Sequence, residues 1–412
     1  MHPQHISILD FSYALPEDKI AWRPPARRDA SKLLIYKNGE IKETHFNAIV
    51  DALPANTLMI FNNTKVINAR ILFKKETGAS IEIFCLEPSG QITGYTSAMA
   101  KQQHTEWKCF IGGVAKWKNE ILQKEIEIAG QTVLLKAELK QKEADAYIVR
   151  FSWEPDHLDF AHIIEAAGKV PLPPYIKRET EGEDSSRYQT IFAMQQGSVA
   201  APTASLHFTP EIVARFPQKN IHSSFVTLHV GAGTFKPVKS ATMQDHDMHA
   251  EYIEVSRQTI EDLLLAQGPI AVAGTTSLRT VETIYWLGVK AFDTPTAEQL
   301  SLGQWDVYDA ALAAKDFTAK QALQSLLQWM IANQTDKIFT QTQLLIAPGY
   351  RFRIANILVT NFHQPQSTLL LLVAAAVGPS WRSLYEYALN HDFRFLSYGD
   401  ANLIFINENS KA

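Results

Sequence analysis

Cysteine is scarce in this chain, which has two cysteines in 412 residues. Neither Cys85 nor Cys109 belongs to a C-x-x-C pair, so the sequence indicates no disulfide framework and no thiolate metal site. The first residues lack the charged-then-apolar pattern of a signal peptide. The longest apolar run, Leu369–Val377, is too short to cross a bilayer and predicts a buried helix. We therefore expect a cytoplasmic protein without a membrane partner.

An excess of positive charge is also missing, because the formal net charge is -4. The net charge therefore does not indicate a nucleic-acid partner, and any basic surface that binds one must be local. A hydrophobic content of 46% is that of a soluble globular protein. A chain of 412 residues is too long for one ordinary core, so we expect two domains.

Hydrophobic periodicity changes along the chain. From about residue 69 to 152, short alternating runs separated by turns predict antiparallel strands. After residue 155, strand patterns alternate with helix patterns, among them helices capped by Ser256, Thr318 and Ser367. The predicted fold is α/β: a large mixed α/β domain over residues 1–65 and 155–412, with a small antiparallel β-barrel domain inserted at 66–154.

Three polar segments follow buried strands of the predicted sheet: H-V-G-A-G-T-F from His229, A-G-T-T-S-L-R-T from Ala273, and T-N-F-H-Q-P from Thr360. Ligands of open α/β sheets bind beyond the carboxyl ends of the strands, so we expect these segments to meet. A fourth loop, Gly197–Thr209, is rich in small residues that let backbone approach a ligand.

Each of these features also has a structural interpretation. The pair Gly231 and Gly233 lacks the third glycine of a dinucleotide fingerprint, and a tight turn explains it equally well. The Thr275-Thr276-Ser277 helix start with Arg279 could hold a carboxylate or phosphate, or be an ordinary cap beside a solvated arginine.

The histidine-rich segment at residues 245–251 has no spacing typical of a metalloprotease site, so no metal is predicted there. If it is extended, His249 and Glu251 share one face and could perform acid–base chemistry or bind hydroxyl groups.

Two basic stretches contain aromatic residues and prolines. The first includes Arg23, Arg27 and Arg28 beside Trp22, and the second includes Lys177 and Arg178. Such stretches suit a single-stranded or loop RNA, although a solvated surface also explains them.

Taken together, the motifs resemble a known family. They are V-P-L-P-P-Y-I-K-R, R-Y-Q-T-I-F-A, G-S-V-A-A-P-T-A-S-L-H-F-T, T-L-H-V-G-A-G-T-F-K-P-V, M-H-A-E-Y, G-T-T-S-L-R-T-V-E, P-G-Y-R-F-R, T-N-F-H-Q-P-Q-S-T-L-L-L-L-V and F-L-S-Y-G-D-A. In this order they are similar to the S-adenosylmethionine:tRNA ribosyltransferase-isomerases of queuosine biosynthesis. Ser198, Ser205, Asn356 and Gln364 depart from the commoner family pattern, and the segment at 293–338 is longer.

The resemblance implies that S-adenosylmethionine is a co-substrate and that no metal is needed. Its ribosyl part would be transferred and isomerised onto 7-aminomethyl-7-deazaguanine at the wobble position of tRNA. The products would be epoxyqueuosine-tRNA, adenine and methionine. The expected partner is therefore a tRNA anticodon loop, bound by a monomer.

Candidate roles follow from this reaction and from the loops identified above. The predicted catalytic residues are His207, His229, His249 and Glu251. The predicted substrate-binding residues are Thr203, Gly231, Gly233, Thr234, Thr275, Thr276, Ser277, Arg279, His363 and Asp400. The predicted RNA-binding residues are Arg23, Arg27, Arg28, Lys177 and Arg178. The alternatives are an RNA methyltransferase, which would usually show a fuller glycine motif, and a non-catalytic tRNA-binding protein.

Overall fold

The computed structural model describes residues 2–90, 95–118, 120–231, 240 and 242–410. Its strands are β1 Lys32–Lys37, β2 Glu40–His45, β3 Leu58–Asn62, β4 Thr64–Val66, β5 Arg70–Lys74, β6 Ser80–Pro88, β7 His104–Gly112, β8 Leu122–Ile128, β9 Gln131–Lys142, β10 Tyr147–Glu154, β11 Gly168–Lys169, β12 Gln195–Ser198, β13 His222–His229, β14 Glu251–Ser256, β15 Ile270–Ala273, β16 Lys337–Thr342, β17 Ile357–Asn361 and β18 Ala401–Phe405. Its helices are α1 Ile49–Ala52, α2 Tyr95–Met99, α3 Phe160–Ala167, α4 Asp184–Arg187, α5 Pro210–Ala214, α6 Arg257–Leu265, α7 Thr275–Asp293, α8 Ala310–Ala313, α9 Ala319–Ala332, α10 Thr368–Val377 and α11 Trp381–Asn390.

A large mixed sheet has the strand order β16-β14-β13-β3-β15-β17-β18-β1-β2. Its centre is parallel, because β13, β3, β15 and β17 all run in one direction. Antiparallel pairings flank this centre at β14 and at β18. The carboxyl ends of the four central strands therefore lie at one edge, and the mixed α/β prediction is confirmed.

The second sheet is antiparallel and has the order β11-β5-β6-β7-β10-β9-β8. It encloses its own core, in which Phe73, Trp107 and Phe151 are fully buried. This sheet is curled, because β5 contacts β8 although the two strands are not neighbours in the strand order. The antiparallel prediction for this region is confirmed, whereas closure into a barrel and the domain boundaries at 66 and 154 stay predictions.

Local sequence signals account for the helix starts. Ser256, Thr318 and Ser367 each accept a hydrogen bond from a backbone N–H in the first turn of the helix that follows. In α9 the apolar spacing places Leu323, Leu326 and Met330 in the core. Ile331, which follows Met330, is 62% exposed because it lies at the edge of that face.

The apolar run predicted as a buried helix forms α10, whose residues from Leu370 to Val377 are all buried. Over the described residues, Thr368–Asn390 is the one segment whose length and composition would suit a membrane span. The protein itself buries 61% of its most apolar window. A core position explains this composition.

Candidate active site

A cavity opens where the central parallel strands end, and we call it the main cavity. The three polar segments predicted to meet all contribute to its wall, together with the small-residue loop. Its described lining residues are Tyr175, Tyr188, Ala200, Ala201, Pro202, Thr203, Ala204, Val230, His246, Met248, His249, Glu251, Gly274, Thr275, Thr276, Arg279, Thr360, Asn361, Phe362, His363, Gln364, Gln366, Ser367, Thr368, Leu369, Leu396 and Ser397.

A second cavity lies between the antiparallel sheet and strand β14. Its described lining residues are Leu86, Glu87, Tyr95, Lys108, Phe110, Asp145, His229, Gly231, His249, Ala250, Glu251, Tyr252 and Gln341. His249 and Glu251 line both cavities. The side chains of His249 and Glu251 could therefore contact one molecule in the main cavity and another in the second cavity.

A buried ion pair stands at the junction of the cavities. The guanidinium Nη1 of Arg279 binds Oε2 of Glu251, and its Nε donates to the Leu344 carbonyl at 3.1 Å. The side chains of Arg279 and Glu251 are 9% and 6% exposed. Within the part of the chain that the structure describes, Nη2 of Arg279 is buried without a hydrogen-bond partner. A buried donor of this kind is suited to an anionic ligand group.

The hydroxyl groups at the start of α7 have two kinds of surroundings. Thr275 and Thr276 line the main cavity. Ser277 does not, because its buried Oγ donates to the Ala273 carbonyl at 2.8 Å. Ser277 therefore makes a structural hydrogen bond, and its predicted ligand binding stays a prediction.

His207 lies behind the wall of the main cavity rather than on it. Its Nδ1 is 2.8 Å from Ser31 Oγ and its Nε2 is 3.3 Å from Asn361 Nδ2. The ring packs on Phe46 at a centroid separation of 4.9 Å. Burial lowers the pKa of His207 to about 4, so its imidazole is neutral at pH 7. The geometry gives no support to the prediction that this ring contacts the substrate directly.

His229 lines the second cavity and stacks on Tyr95, with ring centroids 4.1 Å apart. Its Nε2 is 3.6 Å from Glu254 Oε1, and its Nδ1 is 3.5 Å from Thr64 Oγ1. Burial lowers the pKa of His229, and the nearby Glu254 carboxylate opposes that shift. Nδ1 is therefore within hydrogen-bond distance of Thr64, whereas Nε2 is buried without a hydrogen-bond partner among the described residues.

His363 lies on the main cavity, and Asp400 does not. Nε2 of His363 is 2.9 Å from Thr360 Oγ1, and burial lowers the pKa of this imidazole to about 3. Asp400 is buried, where it accepts backbone N–H groups of Lys32 at 2.9 Å and Arg394 at 2.7 Å. Both carboxylate oxygens thus hold backbone, at the start of β1 and in the loop before β18, and the predicted ligand role of Asp400 stays a prediction.

The other predicted substrate-binding residues can now be placed. Thr203 lines the main cavity and Gly231 lines the second. Gly233 and Thr234 lie outside the described residues.

The predicted RNA-binding residues are largely paired with acidic or backbone groups. Arg28 donates to the carbonyls of Gln189 at 2.6 Å and Ser186 at 2.7 Å. Arg178, whose side chain is 12% exposed, forms two bonds of 2.7 Å with Asp184. These two guanidinium groups therefore hold the loops together, and the prediction that they bind RNA stays a prediction.

The remaining basic residues of those stretches stay at the surface. The side chains of Arg23, Arg27 and Lys177 are 64%, 77% and 63% exposed. Each has a carboxylate partner: Glu181 for Arg23, Asp29 for Arg27, and Glu17 for Lys177. Among the described residues there is no group of three or more His, Cys, Asp or Glu side chains that could hold a metal ion.

Comparison with known proteins gives a consistent result. The family described as "Queuosine biosynthesis protein" matches residues 8–404. The S-adenosylmethionine:tRNA ribosyltransferase-isomerase of Trichlorobacter lovleyi is 34% identical over 404 residues, covering 96% of this chain and 99% of that protein. The chain belongs to this family.

One further curated relative agrees with that assignment. The S-adenosylmethionine:tRNA ribosyltransferase-isomerase of Nitrosococcus oceani is 34% identical over 405 residues, covering 97% of this chain and 98% of that protein. The crystal structure of the S-adenosylmethionine tRNA ribosyltransferase of Thermotoga maritima, at 2.00 Å, has 25% identity and a TM-score of 0.46. It covers 96% of this chain and 100% of that chain. The family resemblance predicted from the motifs is confirmed.

Several residues that line the two cavities were not predicted from the sequence. Asn361, Tyr188 and Tyr175 line the main cavity, and Tyr95 forms a wall of the second. A signal existed for Asn361, because it directly follows the buried strand pattern that ends at Thr360. No signal of that kind marks the tyrosines, since they come from distant loops and a short helix.

Proposed function

We propose that this chain transfers and isomerises the ribosyl part of S-adenosylmethionine onto 7-aminomethyl-7-deazaguanine at the wobble position of tRNA. Epoxyqueuosine-tRNA, adenine and methionine are the products, and the protein acts as a cytoplasmic monomer. Family membership supports this reaction over RNA methylation or simple tRNA binding. The single structural observation that carries it is a pair of adjoining cavities, one for each substrate, that share His249 and Glu251.

In this proposal S-adenosylmethionine occupies the main cavity. The unpartnered Nη2 of Arg279 binds its methionine carboxylate, and the helix start at Thr275 and Thr276 adds backbone N–H groups directed at the same anion. Thr203 and His363 contribute polar groups to the wall. The modified base of tRNA enters the second cavity from the anticodon loop, which must open to expose it.

The reaction begins with loss of a proton from the ribose carbon bonded to sulfur, which the sulfonium makes acidic. Ring opening releases adenine, the amine of the acceptor base bonds to the ribosyl carbon skeleton, and epoxide closure breaks the carbon–sulfur bond to release methionine. His249 is the candidate proton acceptor, because it lines both cavities and forms no ion pair with any described residue. Glu251 is already paired with Arg279.

The decisive assay supplies S-adenosylmethionine and an anticodon stem-loop carrying 7-aminomethyl-7-deazaguanine. Release of adenine and methionine in equal amounts, with epoxyqueuosine in the RNA, is the expected result. Formation of S-adenosylhomocysteine would instead identify a methyltransferase. Binding of the stem-loop without any small-molecule product would identify a non-catalytic adaptor.

A matched pair of histidine variants tests the proton acceptor. His249→Ala should lower kcat by about 100-fold or more, the usual contribution of a general base. His246→Ala is the control, because His246 lines the main cavity but not the second. Near-normal turnover of the His249 variant would remove this residue from the chemistry.

A further inference from the structure

Asn361 is a buried polar side chain on the wall of the main cavity. It is the last residue of β17 and is 2% exposed. The same wall contains the small or apolar residues Ala204, Phe362 and Leu396, and also the polar residues Thr360 and His363. A buried amide in such a wall costs free energy unless its polar atoms are hydrogen-bonded.

The neighbours of Asn361 fix the orientation of its amide. The Leu396 carbonyl can only accept, so the amide atom 3.1 Å from it must be the donor Nδ2. The same Nδ2 lies 3.3 Å from His207 Nε2, which therefore accepts and carries no proton. The proton of the neutral ring is then on Nδ1 and is donated to Ser31 Oγ at 2.8 Å.

This arrangement leaves the amide oxygen of Asn361 without a partner. Nδ2 faces two acceptors, whereas Oδ1 is buried and has no hydrogen-bond partner among the described residues. An unmade bond at a buried acceptor is costly, so its natural partner is an N–H group of a molecule that occupies the cavity.

The charge of the cavity decides which N–H group fits. Over the described lining, Glu251 is the one carboxylate, and it is paired with Arg279. An ammonium group at Asn361 would be buried without a counter-charge, whereas a neutral aromatic amine would not. A guanine-type edge presents two N–H donors and a carbonyl together, which is more than the single acceptor Oδ1 can satisfy.

We infer that Asn361 Oδ1 accepts a hydrogen bond from the exocyclic amine of the adenine in S-adenosylmethionine, with Ser31 and His207 holding the amide in that orientation. This inference rests on the proposed function. It makes Asn361 the residue that selects a 6-amino purine, and it makes His207 a positioning residue rather than a proton acceptor.

The first test changes the ligand and leaves the protein intact. S-inosylmethionine carries an oxygen in place of the exocyclic amine, so it places an acceptor against Oδ1. Equilibrium binding by calorimetry, without tRNA and therefore without turnover, should be about 100-fold weaker than that of S-adenosylmethionine. Equal binding of the two ligands would overturn the inference.

The second test changes the amide. In Asn361→Ala the preference for the 6-amino ligand should fall to about threefold or less, because the discriminating acceptor is gone. Asn402→Ala is the matched control. Asn402 pairs with Thr360 from β18, is as buried as Asn361, and also has an Oδ1 without a partner among the described residues. Unlike Asn361, it does not line the main cavity. A full preference retained in Asn361→Ala would refute the assignment.

His207→Phe separates positioning from proton transfer. The phenyl ring fits beside Phe46 but cannot accept from Asn361, so the ligand preference should fall by about threefold to tenfold. Retention of the full preference, with a large loss of turnover, would show that His207 acts on the reaction instead. Failure of the wild-type chain to bind S-adenosylmethionine at all would count against the proposed function, whereas binding without discrimination counts against this inference alone.

Discussion

The buried pair of Arg279 and Glu251 offers a prediction that separates folding from ligand binding. Arg279→Gln removes the cation that pairs with Glu251, and Glu251→Gln removes the anion that pairs with Arg279. Because both side chains are less than a tenth exposed, each single variant should lose about 3–5 kcal/mol of unfolding free energy. The double variant removes both charges of the pair, so its loss should be well below the sum of the two single losses.

Urea unfolding of the four proteins at one pH measures this coupling. The control cycle uses Arg257 and Asp336, an exposed pair at 3.6 Å whose coupling should be close to zero. If the losses at Arg279 and Glu251 are simply additive, the two groups do not form the pair in solution and the reasoning is refuted.

The ligand side of the prediction uses the same double variant. It should fold, yet bind S-adenosylmethionine about 10- to 100-fold more weakly, because the donor proposed for the methionine carboxylate is gone. Binding as tight as that of the wild type would restrict Arg279 to a structural role.

Three further outcomes are expected. Gly197→Ala should lower stability and activity, because its φ is +140° and a Cβ there would lie 2.7 Å from Tyr95 Cγ. Thermal melting checks this, with Gly182→Ala as the control because nothing lies within 4 Å of a Cβ at Gly182. Burial raises the pKa of Glu282 above its unfolded value of 4.5. The stability linked to its protonation is therefore present below pH 4.5 and is lost as the pH rises through the folded pKa. Urea unfolding of Glu282→Gln at several pH values should not show this loss. Lys177→Glu should weaken binding of the anticodon stem-loop and flatten its dependence on salt concentration, whereas an unchanged slope would exclude this face.

Periodicity and capping were enough to predict the mixed α/β sheet and the antiparallel sheet. Alternating runs marked the antiparallel strands, and the hydroxyl caps Ser256, Thr318 and Ser367 marked helix starts, because these signals depend on residues close in sequence. The meeting of three polar segments at one edge followed from the parallel order of the central strands. Only local pattern and one topological rule were needed for this.

What could not be predicted depends on partners far apart in sequence. Arg23 and Glu181, which pair at 2.6 Å, are 158 residues apart, and Lys177 and Glu17 are 160 apart. No spacing in the sequence shows that these charges compensate each other. In the same way, the position of His207 behind Asn361 depends on how the small-residue loop packs against β17.

The carboxylate of Glu282 has a mechanical consequence for the site. It accepts the backbone N–H groups of Arg353, Ile354 and Ala355 and the hydroxyl of Tyr350, and so couples the middle of α7 to the segment that leads into β17. The two walls that carry Arg279 and Asn361 are thereby braced as one rigid frame. A hinge that admits or releases the small substrate is therefore not expected between these two walls.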